Sequence, residues 1–308
     1  MVTQPASLGK PLIREHRIPT PNSKPYIITL GPDGNVWFCE SGASKIGRLS
    51  PKDGTITEFE VPTADSQPIG IITGGDGNLW FTEYSAHKIG RITLDGEITE
   101  FPLSTPDAGP NGIILGPDGN VWFSEGDISR IAKMTPSGVV TEYAAGISPG
   151  SRPLAITVVG SDLWFSEAAG NRIGKITMDG VVTEYPAPSR DSGPRAIILG
   201  PDGNLWFVES IGNAIGRMDL RGNACAFPLP RPGASPRGIA LSPSGEFWIT
   251  ENAANCIARM NAAGEILAEY PLPTKQSGPR AIIVIPDGRV FFSEYDAGQI
   301  GEIIPGEF

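Results

Sequence analysis

An aromatic residue returns at almost constant intervals along this chain, and that period restricts the fold more than any other feature. Trp37, Trp80, Trp122, Trp164, Trp206 and Trp248 are spaced by 43, 42, 42, 42 and 42 residues, and Phe291 follows after a further 43. A fixed period of this length marks a repeat architecture. Aligned on the aromatic, each unit opens with a proline and a short apolar stretch, then a Gly-rich turn and a segment such as Val36-Trp37-Phe38-Cys39-Glu40. A segment such as Lys45-Ile46-Gly47-Arg48-Leu49 follows, then a second Gly turn and usually one such as Ile56-Thr57-Glu58-Phe59. None is long enough for a helix. The joints carry Asp33-Gly34, Asp95-Gly96, Asp118-Gly119 and Asp179-Gly180, which supply the positive φ angles of tight hairpins. Four antiparallel strands per unit, seven times over, describe an all-β fold, a seven-bladed β-propeller of four-stranded blades. The 39 Gly and 30 Pro among 308 residues agree, favouring many tight turns over long helices. The chain reads as a single propeller domain over residues 1–308.

A linear solenoid of the same period is the rival architecture, and it needs atypical polar repeats at its ends. Here the last unit stops after its third strand, Gln299 to Ile303, and the missing outer strand is at the other end of the chain. Ile13-Arg14-Glu15-His16-Arg17-Ile18-Pro19 follows the same pattern as Ile56-Thr57-Glu58-Phe59-Glu60-Val61-Pro62. An N-terminal strand over residues 13–18 that completes the last blade closes the ring and removes both free sheet edges.

The balance of 24 Lys+Arg against 34 Asp+Glu, −10 overall, disfavours nucleic acid and an anionic membrane surface as partners. Cys39, Cys225 and Cys256 are an odd set without a CxxC pair and read as reduced thiols, not as a disulfide framework or a zinc cluster. No apolar run suits a signal peptide or a membrane span, so a cytoplasmic monomer is expected.

In a propeller the first strand of each blade lines the central channel, so the residue after the leading proline stands at its rim. From blade one to seven that residue is Tyr26, Ile69, Asn111, Leu154, Arg195, Arg237 and Arg280. It changes while its surroundings repeat, and three consecutive arginines next to a tyrosine make one side of the rim cationic. Arginine suits a carboxylate or phosphate held in a bidentate fork. The residue closing the second strand is a glutamate in all seven blades: Glu40, Glu83, Glu125, Glu167, Glu209, Glu251 and Glu294. A residue common to every blade reads first as a satisfier of repeated structure. The arginines have their own structural reading, neutralising Glu209, Glu251 and Glu294 within their blades. His16 reads as packing in the N-terminal strand, and His87 stands where later blades carry Asn171, Asn213 and Asn255. Neither lies in a Ser-His-Asp or metal-ligand pattern, and P-loop, G-x-S-x-G and HExxH signatures are absent.

The repeated unit, with its DGN-[VL]-W-F-x-E, KIGRI and T-E-[FY] segments, resembles the streptogramin B lyase family, also called virginiamycin B lyases. The likeness runs from about Ile13 to Ile303. It implies an enzyme that opens a cyclic depsipeptide at its ester by elimination, using magnesium and a histidine base. The family's histidines follow the leading proline of the last two blades, where this chain reads Pro236-Arg237-Gly238-Ile239 and Pro279-Arg280-Ala281-Ile282. A family glutamate two residues before the last histidine falls on Gly278, whereas Glu294 and Tyr26 match other family positions. A protonated guanidinium cannot take an α-proton, so cleavage of streptogramin B is expected to be absent or feeble.

The resulting expectation is a lyase-like enzyme for a small anionic or cyclic ester molecule, working by elimination, isomerisation or lactone opening. Arg195, Arg237, Arg280 and Asn111 would bind substrate, and Glu294, Tyr26 and Glu251 would move protons. Magnesium is the one cofactor implied. Two other readings stay open: a metal-dependent lactonase using Asn111 with Glu125 or Glu167, and a propeller that binds a ligand or protein without chemistry.

Overall fold

The seven repeats form seven four-stranded antiparallel sheets in a computed structural model that describes residues 11–304. Blade one is typical, with strands Pro25–Leu30, Val36–Glu40, Lys45–Leu49 and Ile56–Glu60 hydrogen-bonded in that order. Blade seven takes Pro279–Val284, Val290–Glu294 and Gln299–Ile304 from the end of the chain and Leu12–Arg17 from its beginning. Ile13 lies opposite Ile303 and His16 opposite Ile300, so the ring closes as the phase of the repeat requires. The seam carries polar locks as well. Thr274 donates to the Glu15 carboxylate from its amide at 2.9 Å and its hydroxyl at 2.8 Å. His16 Nε2 lies 3.0 Å from Glu302 Oε2, so this histidine pairs with a carboxylate in addition to packing.

The second strand of every blade is buried along its length, save Asp162 where it opens in blade four, and its side chains point between blades, not into the channel. Trp37 packs with Ile71, Leu79 and Phe81 of blade two, and Phe291 packs with Ile28, Val36 and Phe38 of blade one. Each large aromatic buried this way removes roughly 150–250 Å² from water. The indole of Trp37 stacks on Phe59 with centroids 5.5 Å apart, and its Nε1 donates to Asp33 Oδ1 at 3.0 Å. The Asp-Gly turn thus shapes the hairpin and satisfies the one polar atom of a buried ring. Gly47 of the third strand faces Phe38, where a Cβ would lie 2.1 Å from the ring. Among the described residues, no helix is long and apolar enough to cross a membrane.

Candidate functional site

The first strands surround a cavity of about 400 Å³ on the axis of the ring. In all seven blades the pairing slips just after the leading proline. Pro25 faces Glu40 but Ile28 faces Phe38, so two residues of the first strand oppose one of the second. The same bulge recurs in blades two to seven. A bulge bends its strand and re-aims a side chain, and the residue it re-aims is the variable one. A hydroxyl braces the bend: Gly238 N donates to Thr250 Oγ1 at 2.8 Å, and that hydroxyl donates to the Arg280 carbonyl of the next blade at 2.6 Å. Thr82 braces Asn111 and Ser124 braces Leu154 in the same way, at 2.8 and 2.7 Å.

Tyr26, Asn111, Arg195, Arg237 and Arg280 all line this cavity and are half-buried. Arg280 lies with Cζ 3.5 Å from the Tyr295 ring centroid and 5.0 Å from that of Tyr26, and the two rings meet edge to face at 5.8 Å. Two faces of π density hold this cation in place. The Nε atoms of Arg237 and Arg280 are buried without an acceptor among the described residues. Burial, followed by the charge of Arg237, lowers the Arg195 pKa to about 10, and burial with Arg280 beside it lowers that of Arg237. These are cations short of a counter-charge.

The glutamates do not supply it. No ion pair joins Arg195 to Glu209, Arg237 to Glu251 or Arg280 to Glu294 among the described residues, so the within-blade pairing expected as their structural role is not what the fold uses. Each second-strand glutamate is fully buried and lies outside the cavity lining, and most of them turn toward an outer-strand glutamate. Burial and Glu58 push Glu40 up to about 9, and burial with Glu100 and with Glu15 pushes Glu83 and Glu294 up to about 8. Such carboxyls hold their protons at neutral pH. In blades one to four a lysine or arginine of the third strand supports the outer carboxylate, as Lys88 does for Glu100 at 2.9 Å. The structure therefore brings Tyr26 and the three arginines together with Asn111 on the channel, and does not bring Glu251 or Glu294 to them. Glu125 and Glu167 likewise lie off the lining that holds Asn111; burial pushes them up to about 8 and about 7.

Magnesium requires oxygen ligands, chiefly carboxylates and water, and the cavity lining offers three guanidiniums and no carboxylate. The residues present do not fit that ion. One group elsewhere has the donor atoms for a metal: Glu251, Cys256 and Glu269 place theirs within 4.8 Å of one another. There the Cys256 thiol already donates to Glu251 Oε2 at 3.0 Å, and the Arg231 guanidinium takes Glu269 at 3.2 Å.

Three rim residues escaped the sequence reading. Tyr295 follows the glutamate of blade seven, Lys24 precedes the proline of blade one and pairs with Asp296 at 3.1 Å, and Arg152 precedes that of blade four. The position after the glutamate varies among blades as the arginine position does, so the same test of variation within the repeat would have found Tyr295. Gly278 has φ +68, and a Cβ there would meet Asp296 Oδ2 at 2.2 Å, so a side chain would have to displace that carboxylate; Lys24, Gln67, Arg152 and Ser235 hold the same place in other blades at φ 51 to 56. His87 has φ 52 and accepts from Gly109 N at 3.3 Å through Nδ1, as the Asn255 side chain accepts from Ser277 N at 2.7 Å. It is a link between blades.

The Virginiamycin B lyase family matches the chain over residues 9–161 and 145–307. A streptogramin B lyase structure superposes with a TM-score of 0.90 at 40% identity, covering 96% of this chain and 98% of that one. A selenomethionine-substituted virginiamycin B lyase from Staphylococcus aureus gives 0.89 at 38% identity, covering 96% and 99%. The virginiamycin B lyase of Saccharopolyspora erythraea is 51% identical over 39 residues, a match that spans 13% of this chain and 13% of that relative.

Proposed function

Because the chain belongs to the virginiamycin B lyase family, we propose that it is a carbon–oxygen lyase whose small substrate carries an acid group, seated on Arg195, Arg237 and Arg280. One observation carries this reading: three consecutive blades place an arginine on the same bulge, facing one cavity, with no carboxylate to meet them. The fold accepts Ile69 or Leu154 at that position, so the cations serve something other than folding.

The chemistry follows from the donors. A proton on the carbon next to the acid group leaves, and its electron pair moves toward the acid oxygens, where the guanidiniums stabilise the developing enolate. The pair then forms the carbon–carbon double bond as the neighbouring carbon–oxygen bond breaks, and the proton ends on the departing oxygen. Tyr26 brings a phenol to the lining and stands beside Arg280, where it relays the proton from the carbon to the departing oxygen. No water enters the products.

The test is product analysis with a panel of β-acyloxy and β-alkoxy carboxylic acids and with a streptogramin B antibiotic. Elimination should appear with the acids as an unsaturated product without added water, and should be lost in Arg237→Met and Arg280→Met. Cleavage of the streptogramin should be absent or feeble. Rapid turnover of the antibiotic, or acid turnover indifferent to both substitutions, would contradict the assignment. The lack of imidazole and carboxylate on the lining favours a second reading, a propeller that binds the acid and leaves it intact; binding without product would select it.

A further inference from the structure

Acids at the ends of the second strands and just beyond them are engaged away from the three arginines. Asp296 takes the Lys24 ammonium, and Asp127 accepts from the Tyr84 hydroxyl at 2.7 Å. Glu209 accepts from the Ser189 amide at 3.3 Å, Glu251 accepts from Cys256, and Glu294 turns to Glu15. Burial favours the protonated form of all three glutamates. Arg280 cannot retreat either, since it is clasped by Tyr26 and Tyr295 and its carbonyl is tied to Thr250.

A single acid group brings one charge and two oxygens. It satisfies one guanidinium fork and leaves two half-buried cations uncompensated, and an uncompensated, partly desolvated cation is costly. We infer that the ligand of this site is a compact polyanion, with two or three acid groups spaced to meet Arg195, Arg237 and Arg280 on neighbouring blades; this rests on the anion-binding reading above. Carboxylates and phosphates share that chemistry. Asn111 and Tyr26, on other blades, offer neutral donors and acceptors suited to a hydroxyl or carbonyl of the same molecule. Deeper in the channel the walls are apolar, with Ile71 and Ile113 among them, so the charges of the ligand gather at its arginine end.

Calorimetric titration of the full chain at fixed ionic strength tests this with propionate, succinate, tricarballylate, phosphate and pyrophosphate. Affinity should rise at least about tenfold from propionate to succinate and again to tricarballylate, the effect of one charge-assisted hydrogen-bonded group per step. Arg237→Met should abolish the last step, whereas Arg231→Met, on the outer surface, should preserve the series. Either tricarballylate or pyrophosphate as the tightest probe supports the inference, and the order between them names the acid class. Propionate binding as tightly as tricarballylate, yet lost in Arg237→Met, would overturn the polyanion and leave the anion site standing. Absence of saturable binding by every probe, in calorimetry and in melting-temperature shift, would overturn both. A charge-dependent series unchanged in Arg237→Met and Arg280→Met would show that the cavity is not the site, overturning this inference.

Discussion

Glu40 and Arg237 show how differently two charged residues of one repeat behave in this fold. A second-strand side chain projects at right angles to its sheet, toward the neighbouring blade, so Glu40 is buried, with Glu58 beside it, and keeps its proton. The first strand reaches the channel because of its bulge, and there Arg237 keeps its charge facing open space. The sequence made the arginines legible, since they vary while their surroundings repeat. It could not show which way the glutamates lean, because a residue at the end of a strand reads the same from either face. Glu40→Gln tests the proton on this carboxyl. The amide keeps the size and the neutrality of the protonated carboxyl, so at pH 5 the variant should match the parent to within about 1 kcal/mol in denaturant unfolding. Above pH 9 it should be the more stable of the two, because it has no proton to lose. A large loss at pH 5 would mean that Glu40 is folded as a carboxylate.

The blade is an element that the sequence described almost completely. Its strands, turns and Trp positions follow from apolar runs, Asp-Gly pairs and a constant period, all of which are local signals. The recurrent bulge was not legible, since it depends on the register between two strands, and register is a property of the pair. Ring closure was legible through the phase of the repeat and the outer-strand pattern carried by Ile13 to Pro19. Leu12–Arg17 is the outer strand of blade seven, and its Glu15 accepts twice from Thr274. Deleting residues 1–19 should expose the edge of Gln299–Ile304 and leave Glu294 without its partner. Such an edge invites pairing with other chains, so light scattering should report aggregation, with a clear loss of melting temperature in any soluble fraction. A truncated chain that stays monomeric and equally stable would show that closure is dispensable.

At the scale of the whole molecule, the repeated glutamates set the pH dependence of stability. Their ordinary value is 4.5, and in the fold Glu40 titrates at about 9, Glu83, Glu125 and Glu294 at about 8, and Glu167 at about 7. Between those limits the folded chain holds protons that the unfolded chain has released, so stability falls as pH rises. The contribution is full below 4.5 and is lost as pH passes through 7 to 9. The turn aspartates act in the opposite sense. Hydrogen bonds from Asn35 and Trp37 outweigh burial to lower Asp33 from 3.8, and Asp76, Asp118 and Asp202 are lowered likewise, so their stabilisation is lost as pH falls below that value. Melting temperature should therefore peak in mildly acidic buffer and decline steadily to pH 9; a plateau across that range would contradict the protonated carboxyls. The channel mouth is where the seven blades cease to be equivalent, and its arginines are the centre of this account. Anomalous diffraction from crystals soaked in bromosuccinate locates an acid there directly. The expected result is bromine signal in the channel, with carboxylate oxygens within about 3.2 Å of guanidinium nitrogens of Arg237 and Arg280. A channel without signal at saturating bromosuccinate, or a bound acid that avoids all three arginines, would contradict it.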